Sequence, residues 1–488
     1  MSINLETHKV KLFSATLIGL TCMVGSGWLF SPMIAARVSG NYAFLAWIVA
    51  AAFIMCVAFC FSVLFVEFPL RGITARMSSI THNNVFGMPF AFVNWFGIIA
   101  TVATEAQATT QYLSPYLGST FISNGILSIY GKFIGFLFLC AYLLINYYGI
   151  KLLARINNII TILKFSTPII VLAVLLIFHF SFQNFHSSSM STQYDLSTVP
   201  LAIIAAGMIY AFNGFQSIGS FASEITNHKK NIPLALFISI SIALLFYLLV
   251  QFVFMGSVPH DLLKNGWAGL NFSSPMIDVT TILGLHLMSI ILVLNSIISP
   301  SATGYTYLGS TARMLSAMAE EKQVPGFLKK IDKKYNFPKH AMVANFLVAT
   351  LFLFSSSGWG NLVVIVTMFN VFSYMSGPIS MGAIKKYKYF GCLVLIFICL
   401  LLTAAPTRDL LITNQALSIV IVIFLVSNGI KNLKRNILYL LPFYAFIWSM
   451  VFLRSWYEVI ILAIVFYFIV ISKYFVQFCK NGSIDSAK

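Results

Sequence analysis

Apolar segments of about 20 residues recur along this chain, separated by short polar connections. A helix of that length and composition is what crosses the hydrocarbon of a bilayer. Hydrophobic residues make up 59% of the 488 residues and charged residues 9%, with a mean hydropathy of +0.89. This composition excludes an ordinary soluble domain and a disordered chain. We therefore expect an all-α polytopic membrane protein.

The apolar runs predict about fourteen transmembrane helices, with twelve as the lower bound. The predicted spans cover residues 13 to 36, 42 to 66, 90 to 114, 132 to 149, 156 to 179, 199 to 222, 233 to 256, 286 to 312, 340 to 356, 360 to 382, 389 to 405, 411 to 430, 437 to 453 and 457 to 477. Residues 1 to 12 are expected to form a cytoplasmic N-terminus, and residues 479 to 488 a cytoplasmic tail. The longest connections are a predicted external loop at 257 to 285, with short helices, and a cytoplasmic loop at 314 to 340.

The distribution of the basic residues supports an orientation in which the N-terminus lies in the cytoplasm. With the N-terminus inside, 24 of the 30 Lys and Arg fall on the cytoplasmic side, as the positive-inside rule requires. Because the basic residues lie in short clusters between spans, the net charge of +17 reflects topology, and we expect no nucleic-acid partner. The seven cysteines show no metal-ligand spacing, and the chain contains no Walker A motif. We expect no cofactor and no metal site.

Gly25, Ser26 and Gly27 interrupt the first apolar run near its midpoint. Irregular backbone at membrane depth persists only where protein buries it or a cavity solvates it. Two glycines permit such backbone, and the new half-helix N-terminus can hold a carboxylate through its N–H groups. Close packing of helices through small residues is the alternative interpretation.

A second interruption, Tyr210 to Gln216 in span 6, favours the first interpretation. It again places a glycine beside a polar residue, five spans after the first break. Spans 1 and 6 then run in opposite directions, as an inverted repeat of five helices requires. We predict repeats at residues 13 to 180 and 199 to 385, followed by additional transmembrane helices at 386 to 478.

Four stretches together resemble the amino acid-polyamine-organocation superfamily of permeases, and within it the bacterial aspartate-proton symporter-like branch. They are GSGWLFSP in span 1, AFNGF in span 6, SEITNHKKNIPLAL after it, and SPSATGYTYLGSTARMLSAMAEEKQVP in and after span 8. The resemblance covers about residues 10 to 430. One departure is His228, which stands where the family usually has proline after asparagine.

The resemblance implies a five-plus-five helix core in which the unwound parts of spans 1 and 6 hold the carboxylate and amine of an amino acid. The substrate-binding residues that it implies are Gly25, Ser26, Gly27, Tyr210, Asn213 and Gly214. Tyr210 matches the family's aromatic gate.

Lys164 lies at the middle of span 5, where a charge costs about 2.5 to 3.5 kcal/mol on insertion scales. A lysine that snorkels to the interface is the structural alternative. The resemblance implies that the ammonium of Lys164 replaces the coupling ion that related permeases hold between spans 1, 5 and 8. Span 8 carries a polar stripe, from which Ser299 and Thr303 are the predicted neighbours of Lys164, although such a stripe also serves helix packing.

Glu105 in span 3 is the other predicted coupling residue, as a proton carrier or as a counter-charge for a cationic substrate. A solvated structural glutamate near the external end of the span is the alternative.

These observations predict a secondary amino acid transporter of the bacterial cytoplasmic membrane that works by alternating access with proton symport. Its expected partners are a small amino acid, protons and membrane lipid. Exchange of amino acids on the same fold remains open, and an acidic and a neutral substrate are both compatible with the sequence. A membrane-embedded transferase or a channel is disfavoured, because His, Asp and Glu form no convergent cluster and the paired breaks indicate a transporter.

Overall fold

A computed structural model describes residues 10–70, 72–118, 120–123, 126–148, 150–186, 194–332, 337–356, 358–427, 433–453, 455–472 and 476. Helices occupy all fourteen predicted span positions. Their bounds, from span 1 to span 14, are Leu12–Met23 with Gly27–Ser39, Ala43–Glu67, Asn84–Leu117, Ile129–Tyr148, Ile150–Phe178, Thr198–Ala205 with Met208–Ala211, His228–Ser257, His286–Glu320, Lys339–Ser355, Trp359–Tyr374 with Ser376–Ala383, Lys388–Thr403, Thr407–Ser427, Leu433–Phe452 and Trp456–Val470. The predicted termini, residues 1 to 9 and 479 to 488, lie outside the described residues.

The all-α membrane fold is confirmed. Among the described residues, eight helices are long and apolar enough to cross a membrane, or nine when the bent pair in span 6 counts as one. Five shorter apolar helices account for further span positions. The chain is an integral membrane protein.

Several predicted boundaries are wrong, those at the ends of spans 8 and 14 among them. The helix of span 8 continues to Glu320, so the loop expected from residue 314 begins later. Its last turn is held by Arg76, whose Nη2 donates to Glu320 at 2.7 Å. The helix of span 14 ends at Val470, before the predicted 477.

The connections carry short elements. The loop after span 7 contains the short helices His260–Leu263, Trp267–Gly269 and Pro275–Ile282, as predicted. A further helix, Ile73–Thr81, follows span 2. The two-residue strands Ile122–Ser123 and Ile126–Leu127, which pair antiparallel, were not predicted.

Span 3 lies at the centre of the bundle and packs against spans 4, 8, 9 and 10. Span 7 packs against span 2 and the first half of span 1, while spans 11 and 14 pack against each other and the end of span 10. Span 3 therefore delivers its polar side chains to the interior between spans 1, 8 and 10.

Span 1 is broken where the glycines predicted. Its first helix ends at Met23 and its second begins at Gly27, so Val24, Gly25 and Ser26 are non-helical. Pro32 lies inside the second half-helix, and Nε2 of Gln251 donates to its carbonyl at 2.9 Å.

The break in span 6 begins earlier than the sequence indicated. Gly207 has φ of +65° and separates Thr198–Ala205 from Met208–Ala211. The segment Met208–Phe221 is bent by 50° relative to Thr198–Ala205. A second left-handed residue, Gly214 with φ of +116°, precedes a 3-10 helix at Phe215–Phe221. Two glycines with positive φ thus flank a single helical turn, since only glycine adopts this conformation without steric cost. The predicted interval, 210 to 216, contains only the second of them.

Candidate functional site

Four consecutive carbonyls at the first break each accept a hydrogen bond from a side chain. The last four carbonyls of any helix lack partners within that helix, and in an apolar interior each must find a donor. Here Thr21, Cys22, Met23 and Val24 supply these carbonyls. The donors are Lys164 at 3.0 Å, Tyr307 at 3.1 Å, Tyr247 at 3.0 Å and Ser299 at 3.1 Å, respectively.

Lys164 is the charged member of this set. Its side chain is completely buried, and Nζ also donates to the Thr303 hydroxyl at 2.9 Å. The C-terminal end of a helix carries a partial negative charge, so an ammonium is favoured there. Of the two neighbours that the sequence predicted, Thr303 contacts Lys164, whereas Ser299 donates to Val24 instead. Lys164 therefore joins spans 1, 5 and 8 and does not reach an interface.

On the other side of the break, a chain of hydrogen-bond donors ends on Glu105. The Trp359 indole donates to the Ser26 hydroxyl at 3.0 Å, that hydroxyl lies 3.0 Å from the Tyr210 hydroxyl, and Tyr210 donates to Oε1 of Glu105 at 2.5 Å. Because Tyr210 donates to the carboxylate, Ser26 is the donor to Tyr210. We call this sequence of groups, Trp359 to Ser26 to Tyr210 to Glu105, the donor chain.

Glu105 is 1% exposed, so the structure places it in the interior and not at a solvated helix end. Its Oε1 also accepts the backbone N–H of Ser26 at 3.3 Å. Its Oε2 is buried and has no hydrogen-bond partner among the described residues. One oxygen is thus fixed by the donor chain, and the other can bind a proton or a cation.

The two glycines of the first break lie against other parts of this site. A methyl group at Gly25 would overlap Oε1 of Glu105. At Gly27 it would lie 3.1 Å from the Cβ of Ala211 in span 6. Close approach therefore requires glycine at position 25 and leaves little room for a side chain at position 27, which is a different reason from the backbone freedom on which the sequence argument rested.

Tyr247 of span 7 contacts both breaks at once. Its hydroxyl lies 3.0 Å from the carbonyl of Met23 in span 1 and 2.8 Å from that of Ala211 in span 6. The ring stacks on Trp47 with centroids 4.7 Å apart. A buried tyrosine hydroxyl needs a partner, and this one has a backbone acceptor from each broken helix.

Asn213 and Gly214 lie apart from the donor chain. Oδ1 of Asn213 accepts from Nε2 of Gln216 at 2.9 Å, while its Nδ2 is buried without a partner among the described residues. A methyl group at Gly214 would lie 2.6 Å from the Tyr307 hydroxyl. The structure thus brings Gly25, Ser26, Gly27, Tyr210 and Glu105 together and places Asn213 and Gly214 nearer to the first half of span 1.

Sequence reasoning missed three residues of this site: Tyr247, Tyr307 and Trp359. Each is an aromatic residue with a polar group in an apolar span, and the chain has many such residues. Only the position of Trp359 between Gly358 and Gly360 was a local signal. No group of three or more His, Cys, Asp or Glu that could hold a metal occurs among the described residues.

Two broken helices that enclose buried ionisable side chains in a bundle of apolar spans define a polytopic membrane permease. The chain matches the family model for amino acid permeases over residues 10–486 and belongs to that family. It is a permease and not an enzyme, which excludes the transferase alternative.

Characterised relatives include two proteins of Bacillus subtilis. The glutamate/serine transporter AimA is 33% identical over 385 residues, which cover 78% of this chain and 71% of the relative. The aspartate-proton symporter is 30% identical over 379 residues, covering 77% and 72%. The branched-chain amino acid permease BcaP of the same organism is 23% identical over 352 residues, covering 67% and 70%.

Proposed function

We propose that this permease takes up an amino acid together with protons by alternating access. The observation that carries the proposal is the buried ammonium of Lys164, bonded to the Thr21 carbonyl at the break and to Thr303 of span 8. Because the Lys164 ammonium joins the broken span 1 to spans 5 and 8, a change in its protonation would change the packing of these three helices. Membrane potential supplies about 2.3 kcal/mol per charge at 100 mV, which corresponds to accumulation of about 50-fold for one net charge.

The substrate carboxylate is proposed to bind the N-terminal end of the half-helix Gly27–Ser39, where the first N–H groups have no acceptor within the half-helix. In the present conformation Glu105 accepts the Ser26 N–H. Two carboxylates at one such site repel each other, so the substrate favours a protonated Glu105. Protonation weakens the hold of Glu105 on Ser26 and frees that N–H for the substrate.

The substrate amine is proposed to contact the span 6 break, where Tyr210, Asn213 and Gly214 lie. Carbonyls released from helical pairing there can accept from an ammonium. The Tyr210 hydroxyl would change partners as the substrate enters, because it is bonded to Glu105 and Ser26 now.

Lys164 is proposed to act as the second coupling group. While charged, it holds the end of the first half-helix to spans 5 and 8. Loss of its proton removes the charge that favours this helix end and weakens the three-span junction. The proton gradient would thereby bias the packing of span 1 between its two arrangements.

The proposal extends to architecture and location. Residues 13 to 180 and 199 to 385 would be the inverted repeats, with residues 386 to 478 packed outside them. The distribution of Lys and Arg supports cytoplasmic termini, and the bacterial relatives support a location in the cytoplasmic membrane. The names of these two relatives support glutamate, aspartate or serine as the first substrates to test.

The test is uptake of labelled glutamate, aspartate, serine and a branched-chain amino acid into proteoliposomes, with and without an imposed proton gradient. Gradient-stimulated uptake into vesicles without internal amino acid is expected. Uptake that occurs only with amino acid inside would make the protein an exchanger and contradict proton symport. Empty liposomes and liposomes carrying a Glu105→Gln variant are the controls.

A further inference from the structure

A cavity of about 320 Å³ lies next to the aromatic end of the donor chain. Its lining includes Phe30, Arg37, Gln111, Asn271 and Trp359. That volume lies in the range of ligand pockets, and the mixture of aromatic rings with a few polar groups is typical of them. Of the described residues that line the cavity, Arg37 carries the only charge.

The floor of the cavity separates it from the proposed substrate site. The Phe30 and Trp359 rings stack there with centroids 4.4 Å apart and planes inclined by 22°. Tyr112 packs edge-on against Phe30, and its hydroxyl donates to the Leu29 carbonyl at 2.7 Å. Trp359 also donates to Ser26, so the floor is bonded directly to the first break. The cavity is thus an antechamber, closed from the site by two rings.

Arg37 is available to a ligand in this antechamber. It lies at the end of the half-helix Gly27–Ser39 and is partly exposed. Among the described residues, no carboxylate lies within 4.0 Å of its guanidinium. An unpaired guanidinium presents a planar set of donors that matches a carboxylate in two-point geometry.

Within the described part of the chain, the deeper site offers no cation that is free to pair with a second carboxylate. Lys164 faces the opposite side of the break, where Thr21 and Thr303 hold it. Glu105 also lies there, and its carboxylate repels an anion. Among the residues that the structure describes, a dicarboxylic amino acid therefore finds a free positive partner for its side chain at the antechamber and not at the deeper site.

We propose that the antechamber is a selectivity site for dicarboxylic amino acids, in which Arg37 pairs with the side-chain carboxylate before the Phe30–Trp359 pair opens. This inference rests on the proposed function and names its substrate class. A neutral amino acid lacks the side-chain carboxylate and reaches the deeper site without pairing with Arg37. Arg37 is the specificity-determining residue, and Trp359 transmits occupancy of the antechamber to Ser26.

The test compares transport kinetics of wild type, Arg37→Gln, Arg37→Lys and Lys264→Gln in proteoliposomes. Lys264 is the matched control, because it lies on the same predicted external side, is exposed, and pairs with Asp261 at 3.5 Å. Labelled glutamate, aspartate and serine are the substrates. Arg37→Gln is expected to raise KM for glutamate and aspartate about tenfold or more and to change KM for serine less than about twofold.

Arg37→Lys is expected to recover part of the affinity, because it restores charge without the two-point geometry. Lys264→Gln should match wild type for all three substrates. An equal change in KM for glutamate and serine, the same effect in Lys264→Gln, or wild-type uptake of neutral amino acids alone would overturn the proposal. Absence of any amino acid uptake by wild type would instead refute the proposed function.

Discussion

The ammonium nitrogen of Lys164 lies 3.0 Å from the carbonyl oxygen of Thr21. This contact joins the only charged residue of span 5's apolar interior to the end of a half-helix whose dipole favours a cation. A lysine with a purely structural role would stabilise the break and contribute nothing to coupling. A structural role and a coupling role predict different transport when the charge of Lys164 is removed and its side-chain volume is kept.

Lys164→Met retains most of the side-chain volume and removes both hydrogen bonds and the charge. We expect proton-driven accumulation of about 50-fold to fall to equilibration, because the group that links protonation to helix packing is lost. Uptake measured with and without an imposed membrane potential of about 100 mV checks this. Lys386→Met is the control, since Lys386 is exposed and pairs with Glu67 at the surface. Retention of gradient-driven accumulation in Lys164→Met would leave Lys164 with a structural role alone.

Glu105→Gln preserves the shape of the side chain and its ability to accept from Tyr210 and Ser26. We expect the variant to fold and to bind substrate, but its transport should respond less to external pH than that of wild type, because the amide does not take up a proton in this range and Lys164 is then the remaining proposed coupling group. Exchange of labelled substrate across the vesicle, measured at pH 5.5 and 7.5, separates binding from coupling. A pH profile equal to that of wild type would remove Glu105 from the coupling mechanism.

Glu105→Ala tests the donor chain instead. It leaves the Tyr210 hydroxyl buried without its acceptor, at a cost of about 1 to 3 kcal/mol in the free energy of unfolding. A lower unfolding temperature in detergent is therefore expected for Glu105→Ala than for Glu105→Gln. Equal stability of the two variants would show that the hydrogen bond contributes little.

Gly25→Ala adds a methyl group that overlaps Oε1 of Glu105. We expect uptake to fall below about a tenth of wild type, because a displacement of about 1 Å at such a site is worth up to a hundredfold. Gly326→Ala is the matched control, since a methyl group there meets no atom within 4 Å and the residue lies outside the site, in the short helix Gly326–Lys329. Initial rates normalised to the amount of reconstituted protein give the comparison. Similar rates for both variants would contradict the close approach.

Gly207→Ala and Gly284→Ala separate backbone strain from steric overlap. Both glycines have positive φ, +65° and +72°, so each alanine loses about 1 to 2 kcal/mol from left-handed backbone. A methyl group at Gly207 additionally overlaps Cγ1 of Val363, whereas at Gly284 it meets nothing within 4 Å. Thermal unfolding in detergent should therefore show a larger loss for Gly207→Ala. An equal loss would mean that Val363 moves aside without cost.

The sequence predicted those features whose cause is local. Gly25, Ser26 and Gly27 are conspicuous in an apolar run because glycine and serine are poor choices for a lipid-facing helix. Lys164 is conspicuous for the same reason, since its charge has to be compensated within the membrane. The helix positions followed from segment length alone, although the end of span 8 did not, because the pairing of Arg76 with Glu320 is a contact between distant segments.

Features created by tertiary packing could not be predicted in this way. Trp359 and Tyr247 are ordinary aromatic residues in their own spans, and their roles arise from Ser26, Met23 and Ala211 far away in sequence. Gly207 is one glycine in an apolar stretch. The left-handed conformation of Gly207 is set by the fold and has no local signal in the sequence. Gly214 was predicted to lie at a break because the polar residue Asn213 precedes it.

The single hydroxyl of Tyr247 couples the positions of the two interrupted helices, because it is bonded to both of them. It has one proton for two backbone oxygens, so it serves Met23 and Ala211 together only while both ends meet at span 7. A rearrangement that separates the two helix ends removes the Tyr247 hydrogen bond from at least one of these carbonyls, which is unfavourable in a dry interior unless water or a ligand supplies a new donor. Tyr247 thus opposes separation of the two broken helices while the space between them is empty.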